Sequence, residues 1–543
     1  MVEHADMRKS PLNQNLIGVV GAGTMGSGIA LAALLADMRV YLFDVEKEVL
    51  DKAQRYIEEH LQKKQRLLSL KYLTLTTRLE DLASAATIIE AVPEVLTLKQ
   101  ELFSQLDQIC PEPAILATNT STLAVTAIAA ATASPHRVGG MHFFNPAAVM
   151  PLVEVVSGAQ TSAHTVESLS RLAEKMGKTP VVARDTPGFI VNRVARPLYG
   201  EALRLLGEGV ATHEQIDRIV EEGGGFRMGP FRLMDLIGID INYAATQSVY
   251  EQTFGEPRYR PHLIQAQMVQ QKTLGRKTGQ GFYSYEERKP IPNRSAGDRP
   301  SEPTASQPGR PASKSILSGP GNWAPGIEAV CEQHGYLLHS GVRDLPIIAG
   351  MARAGRGEPV RVALLQLDQA LPSHRPLLCQ CADVTVAEMC TWVEHPRRLV
   401  GFDGLFFAGG NLATLVASPI LDPEIKREAE ELIRGLGKEL IWVEDSPAMV
   451  LPRIISMLAN EAAFAVGEGA AEATTIDRAM QLGANYPRGP LDWARETGYN
   501  RIVSVLDHLR SEFGEDRYRA APLLRKWARY ETLESGPHAV KEA

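Results

Sequence analysis

An internal repeat limits what this chain can fold into more than any other feature of its sequence. The stretch DTPGFIVNR at residues 185–193 is matched 260 positions later by DSPAMVLPR at residues 445–453. The same offset recurs in the identical pairs Gly177/Gly437, Lys178/Lys438, Glu201/Glu461, Asp217/Asp477, Gly229/Gly489 and Pro230/Pro490. Self-similarity at a fixed offset indicates a repeated structural unit. Residues from Phe189 to about Met268 read as helices, so the sequence predicts an all-α domain that occurs twice.

A strand–turn–helix–strand pattern precedes the first copy. NLIGVV at residues 15–20 is a short apolar run, GAGTMG at residues 21–26 is a glycine turn, and RVYLFD at residues 39–44 follows a helical stretch. Parallel strands require a crossover of this kind. TIIEAV, AILATNT and RVGGMHFF add further short apolar runs, with helical stretches between several of them. The pattern predicts a doubly wound, Rossmann-type α/β domain.

The glycine turn predicts a dinucleotide site. In the spacing GxGxxG the first glycine permits a tight turn, the second lets backbone N–H groups approach a pyrophosphate, and the third permits close helix–strand packing. Asp44 closes the second strand, where a carboxylate binds the ribose 2′-hydroxyl and repels a 2′-phosphate, which favours NAD over NADP. The predicted cofactor residues of this region are Gly21, Gly23, Thr24, Met25, Gly26 and Asp44.

The second half of the chain has weaker patterns. Residues 289–321 are crowded with Pro, Gly and Ser, and such a segment cannot bury enough apolar surface to fold, so we predict a linker. RVALLQL, PLLCQCA and RRLVGFDGLFFAG then read as strands of a sheet that lacks a GxGxxG turn. The predicted division is residues 1–185 (NAD-binding Rossmann domain), 186–286 (helical domain), 287–321 (linker), 322–444 (degenerate Rossmann-like domain) and 445–543 (second helical domain).

Composition excludes several classes of protein. The chain has 543 residues, of which 44% are hydrophobic and 22% are charged, and its formal net charge of −7 gives no general attraction to nucleic acid or acidic membranes. Cys379, Cys381 and Cys390 lack the paired spacing of zinc sites, so no metal is predicted. The first residues contain no signal-peptide-like apolar stretch, and no apolar run approaches the ~20 residues of a membrane span. We therefore expect a cytoplasmic protein.

Four motifs in the first half resemble those of the L-3-hydroxyacyl-CoA dehydrogenases. They are TNTSTL at residues 118–123, HFFNP at residues 142–146, the glutamate of PLVEVV, and DTPGFIVNR. The second half is similar to the additional C-terminal domain of long bacterial 3-hydroxybutyryl-CoA and 3-hydroxyadipyl-CoA dehydrogenases. The resemblance implies an NAD domain followed by a helical dimerisation domain, an active site in the cleft between them, an acyl-CoA thioester substrate and a dimeric homo-oligomer. It also implies a role in fatty-acid or aromatic-acid degradation.

His142 is the predicted general base. Oxidation of a secondary alcohol removes its proton while a hydride leaves for the nicotinamide, and histidine titrates in the required range. His142 ends a predicted strand, where open α/β sheets bind ligands. Glu154, twelve residues later, is suited to hold the imidazole tautomer and stabilise the imidazolium. In the family, residues that match Ser121 and Asn192 hydrogen-bond the reacting oxygen or the histidine, so these four residues form the predicted catalytic set.

The resemblance also implies binding residues. Glu94, Lys99 and Asn119 are predicted to bind the cofactor, although Glu94 and Lys99 are equally compatible with solvated helix-surface charges. The predicted substrate-binding residues are Ser121, Asn192, Lys63, Lys64 and Arg66, of which the last three match a CoA-contacting helical arm and are also compatible with a solvated helix face. Candidates for binding a terminal carboxylate of the acyl chain, or for ordinary ion pairs, are Arg193, Arg196 and Arg227.

The second copy lacks the catalytic residues. Pro452 stands where the first copy has Asn192, and Thr414 stands at the offset of Glu154. The stretch VGFDGLFF, which matches VGGMHFF, contains no histidine. We therefore expect no reaction in the second copy, and we expect the second helical domain to pack on the first and imitate a dimer.

Two other functions are compatible with parts of the sequence. A scaffold of the same fold would bind NAD without catalysis, but it would have no reason to keep Ser121, His142, Glu154 and Asn192 together. Other β-hydroxyacid dehydrogenases typically use a catalytic lysine in the helical domain, whereas this chain has a histidine–glutamate pair. The sequence therefore predicts an NAD-dependent L-3-hydroxyacyl-CoA dehydrogenase.

Overall fold

The computed structural model describes residues 12–285, 314–318, 326–339, 347–353 and 358–535. The chain divides into two compact units. The first consists of Met1–Ala195, Glu251–Thr253 and Ala462–Gly489, and the second consists of Arg196–Tyr250, Phe254–Glu461 and Pro490–Ala543. Within the described ranges, none of the helices has the length and apolar character that crossing a membrane requires.

An eight-stranded sheet forms the centre of the first unit. Its strands are β1 (Asn13–Val20), β2 (Arg39–Phe43), β3 (Leu73–Thr76), β4 (Ala85–Glu90), β5 (Ile115–Thr118), β6 (Val138–Phe143), β7 (Leu152–Ser157) and β8 (Thr179–Arg184). Their order is β3-β2-β1-β4-β5-β6-β7-β8, and every neighbouring pair is parallel except β6 and β7. The helices of this domain are α1 (Thr24–Leu35), α2 (Lys47–Lys63), α3 (Leu96–Ile109), α4 (Val125–Ala129) and α5 (Ala163–Lys175).

Burial patterns explain why these segments form a layered domain. The five residues Leu16–Val20 of β1 are all buried, as expected for a central parallel strand that is covered on both faces. The buried residues of α2 recur at three- and four-residue spacing, which places them on one helix face: they are Leu50, Ala53, Ile57 and Leu61. Residues of α1, α2 and α5 share one apolar core with those of β1 and β2. The predicted Rossmann-type domain is confirmed.

Helices replace strands after β8. Those of the first helical copy are α6 (Val191–Val194), α7 (Arg196–Gly207), α8 (His213–Arg218), α9 (Pro230–Ile237), α10 (Ile239–Gln252) and α11 (Leu263–Gln271). α8 begins with a capping box, in which Thr212 and Gln215 each bond the other's backbone N–H. It continues into a π-helical turn at Ile219–Gly223. The all-α character of this region agrees with the sequence pattern.

A second sheet repeats the order of the first. Its strands are β9 (Lys314–Ser318), β10 (Tyr336–His339), β11 (Ile347–Arg353), β12 (Leu377–Gln380), β13 (Leu399–Phe402), β14 (Leu412–Ala417) and β15 (Glu439–Val443), and its helices are α12 (Ile327–Gln333), α13 (Glu358–Ala370), α14 (Val386–Cys390) and α15 (Pro423–Gly435). The order is β10-β9-β11-β12-β13-β14-β15, and of these seven strands only β13 and β14 pair antiparallel. Among the residues that the structure describes, the sheet matches the first without a counterpart of β3, and its strands and helices confirm the predicted degenerate α/β domain.

One predicted strand of the second half is wrong. RVALLQL, residues 361–367, lies inside α13 and is helical. The buried leucines Leu364, Leu367 and Leu371 recur at helical spacing. A short apolar run does not by itself distinguish a buried strand from one face of a helix, which is why the sequence was compatible with both.

The predicted linker, residues 287–321, extends too far at its carboxyl end. Lys314–Ser318 form β9, whose Ile316 and Leu317 are buried in the second sheet. Two buried apolar residues pack this strand into the sheet within a segment that is otherwise rich in Pro, Gly and Ser. The remaining residues of the predicted linker lie outside the described part of the chain.

The two copies exchange helices. The second helical copy consists of α16 (Leu451–Gly467), α17 (Ala473–Gly483), α18 (Pro490–Thr497), α19 (Tyr499–Phe513) and α20 (Pro522–Ser535). In the first unit, α17 packs against α6, β7 and β8, and in the second unit the π-helical turn of the first copy packs against β14. Two backbone hydrogen bonds of 2.9 Å also connect segments of different copies. The Arg184 N–H donates to the Ala470 carbonyl, and the Glu444 N–H donates to the Val210 carbonyl. Each sheet is therefore covered by a helix from the other copy.

A buried ion cluster joins the two helical copies within the second unit. Arg453, which closes the motif DSPAMVLPR, is fully buried and donates to Glu201 at 2.8 Å and to Glu208 at 2.7 and 2.9 Å. The Tyr518 hydroxyl lies 2.8 Å from Arg453 and donates to Glu201 at 3.1 Å. Burial opposes ionisation, but the carboxylates around Arg453 raise its pKa above the ordinary arginine value.

The first unit contains the matching contact. Arg193, which closes the first copy of the motif, pairs with Glu468 at 2.6 Å, and Glu468 lies 260 positions after Glu208. In both copies, therefore, the arginine that closes the motif forms an ion pair with a glutamate of the other copy. The expectation that the second helical copy packs on the first agrees with these contacts.

Loss of the Arg453 cluster is predicted to destabilise the protein strongly. Arg453→Met leaves Glu201 buried without its principal cation, and breaking a buried ion pair in this way costs about 3–5 kcal/mol of unfolding free energy. Arg495→Met is the control, because Arg495 and Asp492 form an exposed pair whose loss costs at most about 1 kcal/mol. Urea unfolding of both variants measures the difference. Equal, small losses would contradict the assigned role of the cluster.

Candidate active site

The glycine turn has the backbone geometry that its sequence predicts. Gly21 has a φ of +94°, which favours glycine. A Cβ at Gly26 would lie 1.7 Å from the Gly21 carbonyl oxygen, so only glycine lets α1 start this close to β1. Gly23 borders open space, with no atom within 4 Å of a Cβ position. No side chain caps α1, whose first residues are Thr24 and Met25, so the N–H groups of its first turn are available to an anion.

Asp44 follows β2 and holds this turn in place. Its Oδ2 accepts a hydrogen bond from the Ala22 N–H at 2.8 Å, and its Oδ1 accepts one from the Glu46 N–H at 3.1 Å. Each carboxylate oxygen has a further lone pair, so Asp44 keeps acceptors for ribose hydroxyls. The open space at Gly23, the uncapped helix and this carboxylate fit the diphosphate and ribose of a dinucleotide.

A histidine–glutamate pair lies across the antiparallel junction of the first sheet. His142 on β6 and Glu154 on β7 are register partners, and His142 Nδ1 lies 2.6 Å from Glu154 Oε2. Ser121 Oγ lies 3.0 Å from His142 Nε2. His142 is 4% exposed and Glu154 is fully buried. A carboxylate bound to Nδ1 fixes the proton there, so Nε2 is the basic nitrogen and Ser121 is its donor.

The DTPGF turn supplies donors to the other oxygen of Glu154. The N–H groups of Ile190 and Val191 donate to Oε1 at 3.1 and 2.9 Å. Gly188 and Phe189 have φ values of +76° and +49°, which direct the following N–H groups toward the carboxylate. The sequence identified the motif but not these backbone donors. Glu154 is thus held through both oxygens, and its orientation toward the imidazole is fixed.

Asn192 and Asn119 complete the surroundings of the histidine. The side-chain amide of Asn192, on α6, donates to the Ser121 carbonyl at 3.4 Å. Asn119 accepts a hydrogen bond from the N–H of Phe143, the residue after His142, at 2.8 Å. The structure therefore brings together the four predicted catalytic residues, and it uses the oxygen of Asn119 to join the ends of β5 and β6.

Lys99 is buried, so its interpretation as a solvated surface charge is wrong. Its side chain is 1% exposed and its Nζ lies 2.6 Å from Glu90 Oε1 and 3.3 Å from Glu94 Oε2. Burial raises the pKa of Glu94, but the charge of Lys99 and hydrogen bonds from the threonines of the next loop lower it more, so the net shift is downward. Glu90 was not predicted. The signal for it is a carboxylate that ends the otherwise apolar strand AATIIE.

Of the predicted CoA-binding charges, Lys63 and Arg66 form ion pairs with neighbouring carboxylates. Lys63 pairs with Glu59 at 2.6 Å on the surface of α2, and Arg66 pairs with Asp37 at 2.5 Å. Lys64 is exposed. Lys178 donates to the Met150 carbonyl, and its pKa is lowered by burial and further by the charge of Lys64. The substrate role of these three charges stays a prediction.

Comparisons with known proteins identify the family. The model of the 3-hydroxyacyl-CoA dehydrogenase NAD-binding domain matches residues 16–186, and the model of the 3-hydroxyacyl-CoA dehydrogenase C-terminal domain matches residues 188–285 and again residues 449–537. The chain belongs to the 3-hydroxyacyl-CoA dehydrogenase family. It is an NAD-dependent oxidoreductase, as its sequence predicts, and the glycine turn and Asp44 lie in the matched NAD-binding domain.

Some relatives match both halves of this dehydrogenase, and others match only half of it. The 3-hydroxyadipyl-CoA dehydrogenase of Escherichia coli K12 is 36% identical over 97% of this chain and 99% of its own length. The 3-hydroxybutyryl-CoA dehydrogenase of Clostridioides difficile is 40% identical over 50% of this chain and 99% of its own length. A crystal structure described as 3-hydroxybutyryl-CoA dehydrogenase from E. coli K12 matches with a TM-score of 0.76 at 35% identity, covering 96% of this chain and 99% of that one. The two-copy architecture is thus shared by other members of the family.

The second copy of the dehydrogenase keeps the backbone of the site without its chemistry. Asp403, directly after β13, and Thr414, on β14, occupy the positions of His142 and Glu154, as the register of the flanking residues shows. Asp403 accepts hydrogen bonds from two backbone N–H groups, and its residue is 5% exposed. Ala448, at the position of Gly188, has a φ of +62° and so keeps the conformation of the DTPGF turn. The expected loss of the catalytic residues is therefore combined with an intact fold.

The serine is also missing from the second copy. Asp185 caps α4 and Asp445 caps α14, each through two backbone N–H groups. Counting back from the first residues of these helices places Ala382 at the position of Ser121. The carboxylates that shape the loop are retained in both copies, whereas the hydroxyl that contacts the histidine is found in one.

Helix α17 of the second copy packs against residues that surround His142 and Glu154 in the first copy. A Cβ at Gly483, its last residue, would lie 2.5 Å from Leu152, 3.0 Å from Val191 and 3.6 Å from Phe144. The ring of Phe144 lies 4.6 Å from that of His142, and the Val191 N–H is one of the donors to Glu154. The copy without catalytic residues therefore contributes packing to the copy that has them.

A valine at Gly483 is predicted to lower turnover about tenfold, because small displacements of reacting groups are costly. Gly223, 260 positions earlier, is the matched control: a Cβ there would meet nothing closer than Leu451 at 3.6 Å, and both residues lie in the second unit, which does not contain His142. NADH oxidation with acetoacetyl-CoA, measured for Gly483→Val and Gly223→Val, checks this. Equal turnover of the two variants would contradict the supporting role of α17.

Asp403 is predicted to make stability depend on pH. Burial raises its pKa to about 7, although two backbone hydrogen bonds oppose the shift. The folded protein therefore holds a proton that the unfolded chain has lost. The free energy of unfolding then falls as pH rises from about 4 to about 7. Each unit of pKa shift contributes about 1.4 kcal/mol, so the whole fall is a few kcal/mol. Asp403→Asn should remove this fall. Thermal unfolding of both proteins between pH 5 and pH 8 measures it, and a difference independent of pH would refute it.

Proposed function

We propose that this chain oxidises the 3-hydroxyl group of L-3-hydroxyacyl-CoA thioesters to the 3-oxoacyl-CoA and catalyses the reverse reduction. The observation that carries the proposal is the chain of contacts from Ser121 Oγ through His142 to Glu154, at 3.0 and 2.6 Å. A buried imidazole held by a buried carboxylate is the arrangement that a general base for an alcohol requires. The membership of the chain in the family supports the same reaction.

His142 is the proposed general base. Its Nε2 takes the proton of the C3 hydroxyl group while the hydride leaves C3. Glu154 accepts the hydrogen bond from Nδ1, so the imidazolium that forms is paired with a carboxylate at 2.6 Å. In the reverse direction the same nitrogen returns the proton to the carbonyl oxygen. Glu154 needs no proton of its own in either direction, because its role is to orient and to stabilise charge.

Ser121 and Asn192 are proposed to orient the reacting oxygen. Ser121 Oγ lies 3.0 Å from the basic nitrogen, so an oxygen bound to Nε2 is also within reach of the serine hydroxyl. The amide of Asn192 donates to the Ser121 carbonyl at 3.4 Å, which supports a role for this amide beside the serine. These donors stabilise negative charge on the oxygen as its proton leaves.

The residues of the glycine turn are proposed to hold NAD. The uncapped N-terminus of α1, with Gly21, Gly23 and Gly26, would bind the diphosphate, and Asp44 would accept from the ribose hydroxyls. Asn119 and Glu94 lie next to the loop that carries Ser121, which supports the proposal that this loop is close to the nicotinamide end. When bound, NAD+ supplies the acceptor for the hydride.

The proposed substrates are short-chain and dicarboxylic 3-hydroxyacyl-CoA thioesters, in fatty-acid or aromatic-acid degradation. Relatives are named for 3-hydroxybutyryl-CoA and for 3-hydroxyadipyl-CoA. Of the candidates for a terminal carboxylate, Arg193 pairs with Glu468 and Arg196 donates to Thr246 at 3.0 Å, whereas Arg227 is exposed. We further propose that Lys63, Lys64 and Arg66 contact the CoA phosphates, and that the chain works in the cytoplasm as a homo-oligomer, a dimer in particular.

His142→Ala is predicted to lower turnover by about 100- to 10,000-fold, the usual contribution of a general base. The measurement is the loss of NADH absorbance on mixing with acetoacetyl-CoA, followed by oxidation of 3-hydroxybutyryl-CoA and 3-hydroxyadipyl-CoA with NAD+. His164→Ala is the control, because His164 is exposed and lies outside the site.

Three results decide the proposal. Loss of activity in the His142 variant alone supports the dehydrogenase mechanism. Full activity of that variant would refute the assigned base. Absence of oxidation by the wild-type protein across the panel of thioesters, together with retained NADH binding, would favour the non-catalytic scaffold.

A further inference from the structure

The carboxyl end of α10 in the first copy is one residue longer than its counterpart in the second. The segment TFGEPRY at residues 253–259 matches EFGEDRY at residues 512–518, at an offset of 259. Gly238 and Gly498 directly precede α10 and α19 with φ values of +101° and +98°, and they differ by 260 positions. The copy that carries the catalytic residues therefore holds one additional residue between Gly238 and Phe254.

Backbone hydrogen bonds locate the additional residue in the last turn of α10. In the second copy the Gly514 N–H donates to the Arg510 carbonyl, four residues earlier, at 2.9 Å, as in an ordinary helical turn. In the first copy the Gly255 N–H donates to the Tyr250 carbonyl, five residues earlier, at the same distance. A turn with this wider bond is a bulge, and such bulges are frequent at functional sites. We call residues 251–254 the α10 bulge.

The α10 bulge is unfavourable for the fold alone. Phe254 has a φ of +55°, which is unusual for a bulky residue, and its side chain is 99% exposed. Its counterpart Phe513 continues α19 to its end, and the ring of Phe513 lies 5.4 Å from that of Tyr518 and 4.9 Å from the guanidinium of Arg453. The first copy thus combines a strained backbone with an exposed aromatic ring, and strain of this kind is concentrated at functional sites.

The α10 bulge contributes a donor to the serine loop, residues 120–122. Gln252 Nε2 donates to the Thr122 carbonyl at 2.7 Å. Residues 251–253 belong to the first unit, as does the serine loop. The preceding carbonyl, that of Ser121, accepts from the side-chain amide of Asn192 at 3.4 Å. Two successive peptide oxygens of the loop are therefore bound by side-chain amides, one from the predicted catalytic set and one from the α10 bulge.

The N–H groups of the same two loop residues also have partners. Glu94 Oε1 accepts from the N–H groups of Ser121 and Thr122, each at 2.9 Å. The loop backbone is thus held through its donors and its acceptors, while Ser121 Oγ lies 3.0 Å from His142 Nε2. Because a displacement of reacting groups by about 1 Å lowers rates about 100-fold, a hydrogen bond that restricts this loop bears on turnover.

The second copy binds its corresponding loop in a different way. Counting back from the first residues of α4 and α14 places Asp383 at the position of Thr122. The Ser504 hydroxyl, in the middle of α19, donates to Asp383 Oδ2 at 2.8 Å. This contact uses a regular helix and requires no bulge. The fold therefore joins the loop to the long helix without the additional residue, which is found in the copy that has the serine and the histidine.

We infer that Gln252 is a positioning residue, which the α10 bulge places at the serine loop so that Ser121 is held at His142. The inference rests on the proposed function for the identity of the site. It assigns the one-residue difference between the copies a role in turnover, and it explains why Phe254 is exposed in one copy whereas Phe513 is packed in the other.

Gln252→Met tests this assignment, because methionine keeps the length of the side chain and removes the donor. We expect faster amide hydrogen exchange in peptides that contain Ser121 and Thr122 and a fall in kcat of about tenfold with acetoacetyl-CoA. The KM of acetoacetyl-CoA and the NADH dissociation constant should stay within about twofold of wild type. Ser504→Ala is the matched control, since it removes the corresponding contact of the second copy; it should leave kcat and exchange at Ser121 unchanged.

Deletion of Thr253 is an independent variant, which gives the first copy the loop length of the second. Phe254 should then continue α10 as Phe513 continues α19, so we expect an unchanged or higher Tm together with the same fall in kcat. Whatever the stability of the deletion variant, Gln252→Met decides. Wild-type kcat or wild-type exchange at Ser121 in that variant would overturn the inference, as would NADH binding weakened tenfold or more. Exchange and NADH binding need no turnover, so this result is distinguishable from failure of the proposed reaction.

Discussion

The bond between His142 and Glu154 exists because one strand pair of the sheet runs antiparallel. In a continuously parallel sheet, residues at the carboxyl ends of neighbouring strands come from segments separated by a full crossover. Here the chain turns back after β6, so residues only twelve positions apart become register partners at the ligand-binding edge. The buried carboxylate then needs donors for its second oxygen, and the left-handed DTPGF turn provides them.

The duplication separates the requirements of the fold from those of the chemistry. Both sheets have the antiparallel pair, an aspartate caps α4 in the first copy and α14 in the second, and both motifs close with an arginine that pairs with a glutamate of the other copy. Ala448 adopts a left-handed conformation at a cost of about 1 kcal/mol relative to glycine, so the turn is maintained even where no glutamate needs it. The second copy thus preserves the shape on which its neighbour depends.

Most features of the fold and the site that the sequence predicted correctly follow from local sequence patterns. The turn from Gly21 to Gly26 and the alternation of strand and helix follow from residues close in sequence, and the four catalytic residues follow from motifs that carry a family resemblance. The exchange of α17, the burial of Lys99 and the role of Glu90 depend on contacts between distant segments, so charge and spacing alone did not reveal them. The helix at residues 361–367 was missed for a different reason, because its leucines satisfy both periodicities over so short a run.

The exchange of helices has a consequence for biosynthesis. The first unit includes residues up to Gly489, about 300 positions after Ala195, so β7 and β8 lack one of the helices that cover them until most of the chain has been made. At about 5–20 residues per second, the ribosome needs roughly 15–60 seconds to supply it. During that interval a nascent chain displays an incompletely covered sheet beside a partly built catalytic centre. Completion of the enzyme is therefore tied to synthesis of the half that performs no chemistry.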